Sequence, residues 1–488
     1  MKKIFKYLAL GIFILIAVVL LRALLLSSAQ SIEEQPASVE VDEARVVEHM
    51  SQALRFKTIS FGSEQQDFQP FVQFVAWVKQ TYPEVFAALS LEMVADHTML
   101  LKWQGQNPNL KPVLLTAHYD VVPVVPGSED DWAYPAFDGV VAENYVWGRG
   151  ALDNKSAVIV MLEALTLLID QGEVPQRSIY FSFGHDEEIG GTEGAKGVTQ
   201  LLKSRGVSLA WSLDEGSFIL RDLMPGVEKP IASINVAEKG SMSLLLTASG
   251  PGGHSSMPAA EVSLDILAQA LVALRQAPLP GGVEGITLEM FEGLASEGSF
   301  GLKVLAANTW LFGGLIEKKM SASATTNALI RTTTAPTILR AGIKSNVIPP
   351  KATATVNFRL HPRDTPESVT AHVTQAINDP RVAIEVIGGG LTSLASTVSE
   401  REAPGYRLIA KVARQSFSDL IVVPGLTIAG TDSKHYSKIA DNSYRFQFMQ
   451  VGPEDISGFH GTSERISVEN LVKATSAYTL LIRQATAE

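Results

Sequence analysis

The fold follows from the stretch Ser178-Ile179-Tyr180-Phe181-Ser182-Phe183-Gly184-His185-Asp186-Glu187-Glu188-Ile189-Gly190-Gly191, in which an apolar run of strand length ends in an acidic, glycine-rich turn. The run predicts a buried strand, and the glycines predict a sharp exit from it. In an open α/β sheet, ligands bind beyond the carboxyl ends of the strands. Two adjacent glutamates at such an end can divide the work, one binding a metal ion and the other carrying a proton. A solvated acidic turn without chemistry is the alternative that this stretch alone leaves open.

Helical and strand-like segments alternate on both sides of this stretch. A strand is predicted at 113–117, an apolar helix at 156–169, a further helix at 194–203 and a short strand at 209–213. Strands that alternate with helices in this way are typical of a parallel sheet covered on both faces. We therefore predict an α/β fold, a doubly wound sheet that begins near Val46.

The character of the sequence changes between residues 233 and 392. This segment starts with adjoining β-like runs and a helix, and a glycine-rich stretch from 276 to 345 predicts irregular structure. After residue 392 the α/β alternation returns. We predict an α+β lid domain at 233–392 that interrupts a catalytic domain made of residues 46–232 and 393–488.

The N-terminus differs from the rest of the chain. Several lysines precede an almost unbroken apolar run from Tyr7 to Leu26, long enough to cross a bilayer as a helix. The lysines predict a cytoplasmic N-terminus, which places the body outside the cytoplasm. Ser27-Ser28-Ala29 also resembles a signal-peptidase site, so cleavage near residue 29 would release a secreted protein. We predict a membrane anchor or signal segment at 1–28 and a polar tether at 29–45.

Composition excludes several classes of protein. Of the 488 residues, 46% are hydrophobic and 19% are charged, as expected for a globular chain and not for a disordered one. The net charge of −11 argues against nucleic-acid binding. The chain has no cysteine, so any metal site must use histidine, aspartate and glutamate.

Histidines and carboxylates recur at the predicted carboxyl ends of strands or in the loops after them: His118, Asp153, Glu187, Glu188, Asp214 and His460. Two divalent ions a few ångströms apart need about three protein ligands each, with one carboxylate shared between them. We predict that Asp153 is the shared carboxylate and that Glu187 takes the proton of an attacking water. Asp120 lies close enough in sequence to orient the imidazole of His118. Each residue alone also fits a structural role, such as a core histidine or a helix cap.

Five motifs together resemble those of a known family. They are His118-Tyr119-Asp120, Gly148-Arg149-Gly150-Ala151-Leu152-Asp153-Asn154-Lys155, Glu187-Glu188-Ile189-Gly190-Gly191, Asp214-Glu215-Gly216 and Gly250-Pro251-Gly252-Gly253-His254-Ser255-Ser256. In order and rough spacing they resemble the aminoacylase/carboxypeptidase family of di-zinc metallopeptidases (clan MH), over about residues 46–485. Segments 328–334 and 345–350, with the N-terminal anchor, look like its carboxypeptidase S branch. That branch includes a secreted enzyme that makes and breaks N-fatty-acyl amino acids.

The resemblance implies two zinc ions, for which Co²⁺ or Mn²⁺ can substitute. The implied ligands are His118, Asp153 and Asp214 for one ion, and Asp153, Glu188 and His460 for the other. The resemblance also implies that Glu187 is the general acid/base and that the peptide bond between Asp153 and Asn154 is cis.

Three residues of the predicted lid are implied to act on the substrate. His254 would stabilise the oxyanion, and Asn346 and Arg359 would grip the substrate, with the arginine opposite a free α-carboxylate. A loop-capping role for His254 and a structural ion pair for Arg359 are the alternatives.

These expectations describe an exported zinc-dependent hydrolase that cleaves the amide bond of an N-acyl amino acid or small peptide with a free C-terminal carboxylate. A di-zinc aminopeptidase or dipeptidase of the same clan is one alternative, and a non-catalytic binding ectodomain is another. The complete ligand set with Glu187 argues against the ectodomain, because a binding protein needs no base. We expect a small-molecule or peptide substrate, no nucleic acid, contact with a membrane through the N-terminal helix, and a homodimer as one open assembly state.

Overall fold

A computed structural model describes residues 2–26, 34–62, 66–222, 227–388 and 392–487. The helices are α1 (Lys2–Leu25), α2 (Glu43–Leu54), α3 (Gln69–Thr81), α4 (Pro83–Ala88), α5 (Lys155–Asp170), α6 (Ala195–Ser204), α7 (Ser263–Gln276), α8 (Ile286–Glu297), α9 (Phe300–Ala307), α10 (Thr309–Met320), α11 (Ala324–Ile330), α12 (Pro366–Ile377), α13 (Pro404–Ser416), α14 (Ser433–Tyr436), α15 (Pro453–Ile456) and α16 (Val468–Thr486). The strands are β1 (Ser90–Val94), β2 (Thr98–Trp103), β3 (Val113–His118), β4 (Val140–Ala142), β5 (Tyr145–Trp147), β6 (Ile179–Gly184), β7 (Trp211–Asp214), β8 (Ile219–Leu220), β9 (Ile231–Glu238), β10 (Gly240–Ser249), β11 (Gly253–His254), β12 (Thr333–Arg340), β13 (Val347–Ile348), β14 (Lys351–Leu360), β15 (Val382–Ile387), β16 (Ile421–Thr427), β17 (Ser443–Arg445), β18 (Gln450–Val451) and β19 (Arg465–Ser467). Single 3₁₀ turns lie at Glu129–Asp131 and Glu187–Ile189.

A large sheet positions most of the candidate site. Its strand order is β1-β2-β6-β3-β7-β17-β9-β8-β18, and β16 pairs with β9. Strands β6, β3 and β7 run parallel, and His118 lies directly beside Gly184 in their register. Parallel strands end at the same edge of a sheet. His118, the Glu187–Ile189 turn and Asp214 therefore meet at one edge.

Helices cover both faces of this sheet. Helices α2, α3, α5, α13 and α16 share a hydrophobic core with one face. Helices α6 and α14 pack on the other face through a smaller core. Helix α5 is apolar over most of its length because it is enclosed by the sheet and by α2 and α16. These layers confirm the predicted mixed α/β fold.

A second, antiparallel sheet of order β12-β14-β10-β15 has a hydrophobic core of its own with α7 and α12. We call this part, residues 240–387 without α8 to α11, the small-sheet unit. Burial alternates along β14, with the even-numbered residues from Ala352 to Leu360 buried. One face of the sheet is thus covered by helices and the other is open. Arg359 lies on the open face and is exposed.

The predicted lid boundary at residue 233 is too early. Strand β9 pairs with β16 and β17 of the large sheet as far as Glu238, and the small-sheet unit begins at Gly240. The chain returns at Ser393, whose N–H and C=O exchange hydrogen bonds with Ser241 at 2.9 and 2.8 Å. Two β-like runs in succession do not reveal which sheet each one joins, so the pattern alone misplaced the boundary.

The stretch predicted to be irregular, residues 276–345, contains helices α8 to α11 and strand β12. Its glycines suggested loops, yet Gly293 lies inside α8. A Cβ at Gly293 would come within 2.7 Å of Val423 Cγ1, so the glycine permits close packing of the helix on β16. Met290 and Leu294 of α8 share a core with Val423. This helical segment therefore packs on the large sheet, although its sequence interrupts the small-sheet unit.

Helix α1 is long and apolar enough to cross a membrane, and a signal sequence near an N-terminus can meet the same criteria of length and composition. The predicted cleavage site Ser27-Ser28-Ala29 lies outside the described residues.

The polar tether prediction is wrong for residues 34–45. The N–H of Ala37 donates to Gln415 O at 3.0 Å, that of Val39 donates to Ser476 Oγ at 2.7 Å, and α2 already begins at Glu43. The apolar side chains at every second position from Ala37 pack against the core, which the overall polarity of the segment concealed.

Candidate active site

Asp153 lies between the two histidines that the sequence selects as metal ligands. Its Oδ1 is 3.1 Å from His118 Nε2, and its Oδ2 is 3.1 Å from His460 Nε2. The peptide bond between Asp153 and Asn154 is cis, as predicted. Each carboxylate oxygen thus faces a different imidazole, which is the arrangement that a ligand shared by two metal ions requires.

Each histidine also faces a glutamate. His460 Nε2 is 3.3 Å from Glu188 Oε2, and His118 Nε2 is 3.2 Å from Glu215 Oε1. The sequence predicts Asp214, and not Glu215, as the ligand beside His118. Asp214 Oδ1 instead accepts the N–H of Glu215 at 2.9 Å, and its Oδ2 is buried without a hydrogen-bond partner among the described residues. Neighbouring side chains at a strand end point to opposite sides, and here the second acid is the one that faces the histidine.

Asp120 connects His118 to the acidic turn. Its Oδ1 is 3.2 Å from His118 Nδ1. Its carboxylate oxygens also accept the N–H groups of Glu187 at 3.2 Å and Glu188 at 3.1 Å. Asp120 is buried, so these contacts fix the imidazole and the two glutamates relative to each other.

Glu187 lies beside the same histidine. The ligand atoms of His118, Glu187 and Glu215 all lie within 4.8 Å of one another. Burial raises the pKa of Glu187 well above its ordinary value, and the nearby Glu215 raises it further against the opposing effect of His118. Among the groups described so far, Glu187 is therefore well placed to hold a proton.

The acidic side chains at this edge fit divalent cations. Burial raises the pKa of Glu188, and it raises the pKa of Glu215 to about 8. Glu188 Oε1 is buried and has no hydrogen-bond donor within the described ranges. Carboxylate oxygens that are buried together without donors are costly unless a cation neutralises them. Mixed histidine and carboxylate donors suit zinc and also accept cobalt or manganese.

Glu464 holds the loop that carries Asp153 and was not selected from the sequence. Its carboxylate accepts hydrogen bonds from four groups of that loop: Arg149 Nη1 at 2.7 Å and the N–H groups of Gly150 at 3.0 Å, Leu152 at 2.8 Å and Asp153 at 3.0 Å. Because Glu464 follows His460 closely, it joins the loops of two candidate ligands. A lone glutamate carries no local signal. The sequence signal that could have led to Glu464 is Arg149, because a buried arginine requires a carboxylate partner.

The loop after β16 packs beneath the acidic turn. A Cβ at Gly191, whose φ is 62°, would lie 1.9 Å from Asp432 Oδ1, so this position requires glycine. Thr431 Oγ1 donates to Glu238 Oε2 at 2.6 Å, and the same carboxylate oxygen lies 3.1 Å from Arg445 Nε. The second glycine of the turn therefore has a packing role against Asp432.

A cavity of about 370 Å³ opens above these residues. Residues of the acidic cluster, the loop after β16 and Arg359 of the small-sheet unit line it. The lining residues from the cluster are Asp153, Glu187, Glu188, Glu215 and His460. The structure thus brings a guanidinium of one unit to the same cavity as the carboxylates of the other.

His254 and Asn346 lie together but away from this cavity. His254 pairs with Val347 where β11 meets β13, and the N–H of Ser255 donates to Asn346 O at 3.2 Å. His254 is exposed, and its Nδ1 accepts the N–H of Ser256 at 3.1 Å. Neither His254 nor Asn346 is among the described residues that line the cavity. In this conformation the structure therefore does not bring His254 and Asn346 to the cavity that the acidic cluster lines.

Relatives with related sequences support a hydrolytic role. Peptidase family M20/M25/M40 matches residues 114–484. N-fatty-acyl-amino acid synthase/hydrolase PM20D1 of Mus musculus is 40% identical over 438 residues, which cover 88% of this chain and 86% of that protein. Probable carboxypeptidase S-like 2 of Dictyostelium discoideum is 38% identical over 448 residues, which cover 91% of this chain and 85% of that protein.

Solved structures share the fold at much lower identity. The M20 family metallo-carboxypeptidase Sso-CP2 from Sulfolobus solfataricus superposes with a TM-score of 0.66 at 17% identity, covering 90% of this chain and 99% of that one. Human carnosine dipeptidase 1 gives a TM-score of 0.60 at 14% identity, covering 91% and 97%. The family match and the 40% identity along most of both chains establish that the chain belongs to peptidase family M20/M25/M40 and is a metallo-hydrolase.

Proposed function

We propose that the protein is a di-zinc amidohydrolase that cleaves N-acyl amino acids, including those with long acyl chains, or small peptides with a free C-terminal carboxylate. The observation that carries the proposal is the shared cavity. Asp153, which faces both histidines, lines this cavity, and so does Arg359 of the small-sheet unit. The name of the relative at 40% identity supports the acyl amino acid as substrate.

We assign the cation ligands from the geometry and revise one of them. The ligands are His118, Asp153 and Glu215 for one cation, and Asp153, Glu188 and His460 for the other. Glu215 replaces the Asp214 of the sequence prediction because it faces His118. Zinc is the cation that we propose, with cobalt or manganese as substitutes. Two such cations would polarise the amide carbonyl and activate a water molecule for attack.

Glu187 moves the proton in this proposal. Its carboxylate accepts a proton from the attacking water and delivers it to the nitrogen of the departing amino acid as the amide bond breaks. Burial, which raises its pKa, favours the protonated form that the second step requires. Asp120 keeps Glu187 and Glu188 in place through their N–H groups.

Arg359 would recognise the free carboxylate of the substrate. A guanidinium is planar and can donate two parallel hydrogen bonds to a carboxylate. Its position on the open face of the small sheet leaves these donors available toward the cavity.

The small-sheet unit would act as a lid that brings His254 and Asn346 to the substrate. Among the described residues, the unit meets the large sheet near Lys239 and Ser393, where Ser241 and Ser393 exchange hydrogen bonds. It also continues into helices α8 to α11, which pack on β16, so the motion that we propose turns the small-sheet unit relative to these helices and the large sheet together. Small-angle scattering should show a smaller radius of gyration when an amino-acid product is added, and an unchanged radius would contradict the lid.

We also propose that α1 stays attached as a membrane anchor, with the body outside the cytoplasm. The basic residues before the apolar run favour this orientation. Contacts between α1 and the body, described below, favour retention of the helix over its removal.

The function is tested with full-length protein in detergent or nanodiscs. N-acyl amino acids with acetyl to long fatty-acyl chains are offered as free acids and as amides, beside peptides with a free amine. We expect release of amino acid from the acids, loss of activity with a chelator and recovery with Zn²⁺. Turnover of free-amine peptides without turnover of acyl amino acids would instead identify an aminopeptidase.

A further inference from the structure

Helix α10 has an exposed face that is apolar over two turns and basic in the third. Its exposed residues are Trp310, Leu311, Gly314, Leu315, Lys318 and Lys319. Their spacing repeats every three to four residues, so they occupy one face of the helix. Trp310 is 57% exposed, Leu311 43% and Leu315 49%, and Phe300 at the start of α9 is 50% exposed. Exposed apolar side chains that lie together in this way usually mark an interaction surface.

This face follows directly on α9, the helix that contacts α1. Helix α9 packs against α1, where Arg22 Nε donates to Ala307 O at 2.8 Å and Asn308 Nδ2 donates to Val19 O at 3.1 Å. Val19 and Ala23 are buried by this contact, whereas most of α1 is exposed.

The contact lies near the end of the candidate membrane span. At 1.5 Å per residue, Val19 is about 9 Å along the axis from Leu25, the last residue of α1. If α1 crosses a bilayer, the junction between α9 and α10 lies where the span leaves the hydrocarbon layer on the extracytoplasmic side.

We infer that α9 and α10, residues 300–320, bind the extracytoplasmic surface of the lipid bilayer that α1 crosses. Helix α9 is about 12 Å long and α10 about 18 Å, so neither can span a hydrocarbon layer of about 30 Å. Both lengths suit helices that lie in the interface with one apolar face among the acyl chains.

The residue types of α10 favour a lipid surface over a protein partner. Tryptophan is enriched at the level of the lipid headgroups. Lys318 and Lys319 follow the apolar turns on the same face, where they can reach phosphate groups of the headgroups. Most apolar side chains of α1 are exposed and α9 packs on its C-terminal part, so a protein bound to α10 would lie beside the bilayer that α1 crosses. The inference depends on α1 entering a membrane and is independent of the catalytic proposal.

Fluorescence of Trp310 tests this binding in the full chain. The protein is reconstituted in phosphatidylcholine vesicles that carry brominated acyl chains, which quench tryptophan on contact. Trp310 is suited as the reporter because Trp103, Trp132, Trp147 and Trp211 are buried and Trp77 is partly buried against the large hydrophobic core. We expect quenching in the parent that the Trp310→Phe variant lacks. Equal quenching in the parent and in Trp310→Phe would overturn the inference and would indicate that something other than lipid covers the face.

A pair of charge substitutions separates membrane contact from a general effect of the vesicles. Leu311→Glu with Leu315→Glu places two carboxylates on the apolar face and should abolish the quenching of Trp310. Leu339→Glu is the matched control, because Leu339 is 64% exposed on β12 of the small-sheet unit. The control should retain the quenching of the parent. Unchanged quenching in the Leu311 and Leu315 variant would contradict the proposed depth of α10.

Discussion

At the scale of single residues, two adjacent glutamates have different surroundings. Glu188 faces His460 and Asp153, whereas Glu187 lies near His118 and Glu215 and lines the cavity. Asp120 accepts the N–H groups of both, so their relative positions are fixed by one carboxylate. We therefore propose that Glu187 transfers the proton and that Glu188 binds a metal ion.

Glu187→Gln should keep the bound metal and lower kcat by at least about 10²-fold, since it removes the proton acceptor and leaves the ligands intact. Metal content by elemental analysis and turnover of an acyl amino acid measure the two effects. Glu193→Gln is the control, because Glu193 is an exposed glutamate after the same turn. Loss of metal from Glu187→Gln, or turnover near that of the parent, would reject the assignment.

The two acids at the end of β7 make a second residue-scale test. Glu215→Gln should lose bound zinc because it removes a carboxylate that faces His118, while Asp214→Asn should retain more zinc. Zinc content per chain after dialysis against a weak chelator is the measurement. The opposite order, with zinc lost from Asp214→Asn and kept by Glu215→Gln, would restore the original prediction.

At the scale of elements, local patterns were sufficient where packing partners did not matter. The strand before Gly184 and the helix after Asn154 are apolar runs of strand and helix length, so both could be predicted together with the acidic residues beside them. Helices α8 to α11 could not, because close packing on β16 overrides the loop tendency of Gly293. Glu464 could not be found either, since its hydrogen bonds reach a loop that is distant in sequence.

Glu464→Gln tests whether that loop is held as the structure shows. The change leaves the Arg149 guanidinium buried without its carboxylate, which should lower the free energy of unfolding by about 3–5 kcal/mol. Denaturant titration measures this loss, and zinc affinity should fall with it because Asp153 loses an N–H contact. Glu92→Gln removes an exposed pair with Arg205 and should change the midpoint little. Similar midpoints for both variants would mean that Glu464 does not hold the loop.

At the scale of the whole molecule, the cations should couple the site to stability. Without them, burial raises the pKa of Glu215 to about 8, and hydrogen bonds with Asp153 and Glu188 raise the pKa of His460 to about 10. Both groups bind protons more tightly in the folded chain than in the unfolded one. Their stabilisation is complete below their ordinary pKa values of about 4.3 and 6.5 and is lost as pH rises through the folded values.

The difference in Tm between metal-loaded and metal-free protein should therefore grow from about pH 5 to about pH 9. Comparing the two forms at each pH cancels the contribution of groups away from the site, such as His361, whose pKa burial lowers to about 4. Differential scanning fluorimetry gives both curves. A difference that stays constant or shrinks with rising pH would show that these groups do not titrate with the metal.

We propose that Arg359 brings a free carboxylate to the cation site, and the ratio of kcat/KM for an N-acyl amino acid to kcat/KM for its amide tests this role. The parent should prefer the acid by at least about 10²-fold, because the amide offers the guanidinium no charged partner. Arg359→Met should lose activity on the acid and little on the amide, so the preference collapses. Arg340→Met, which removes an exposed arginine from β12, should keep it. A parent that cleaves acid and amide equally well would contradict the account.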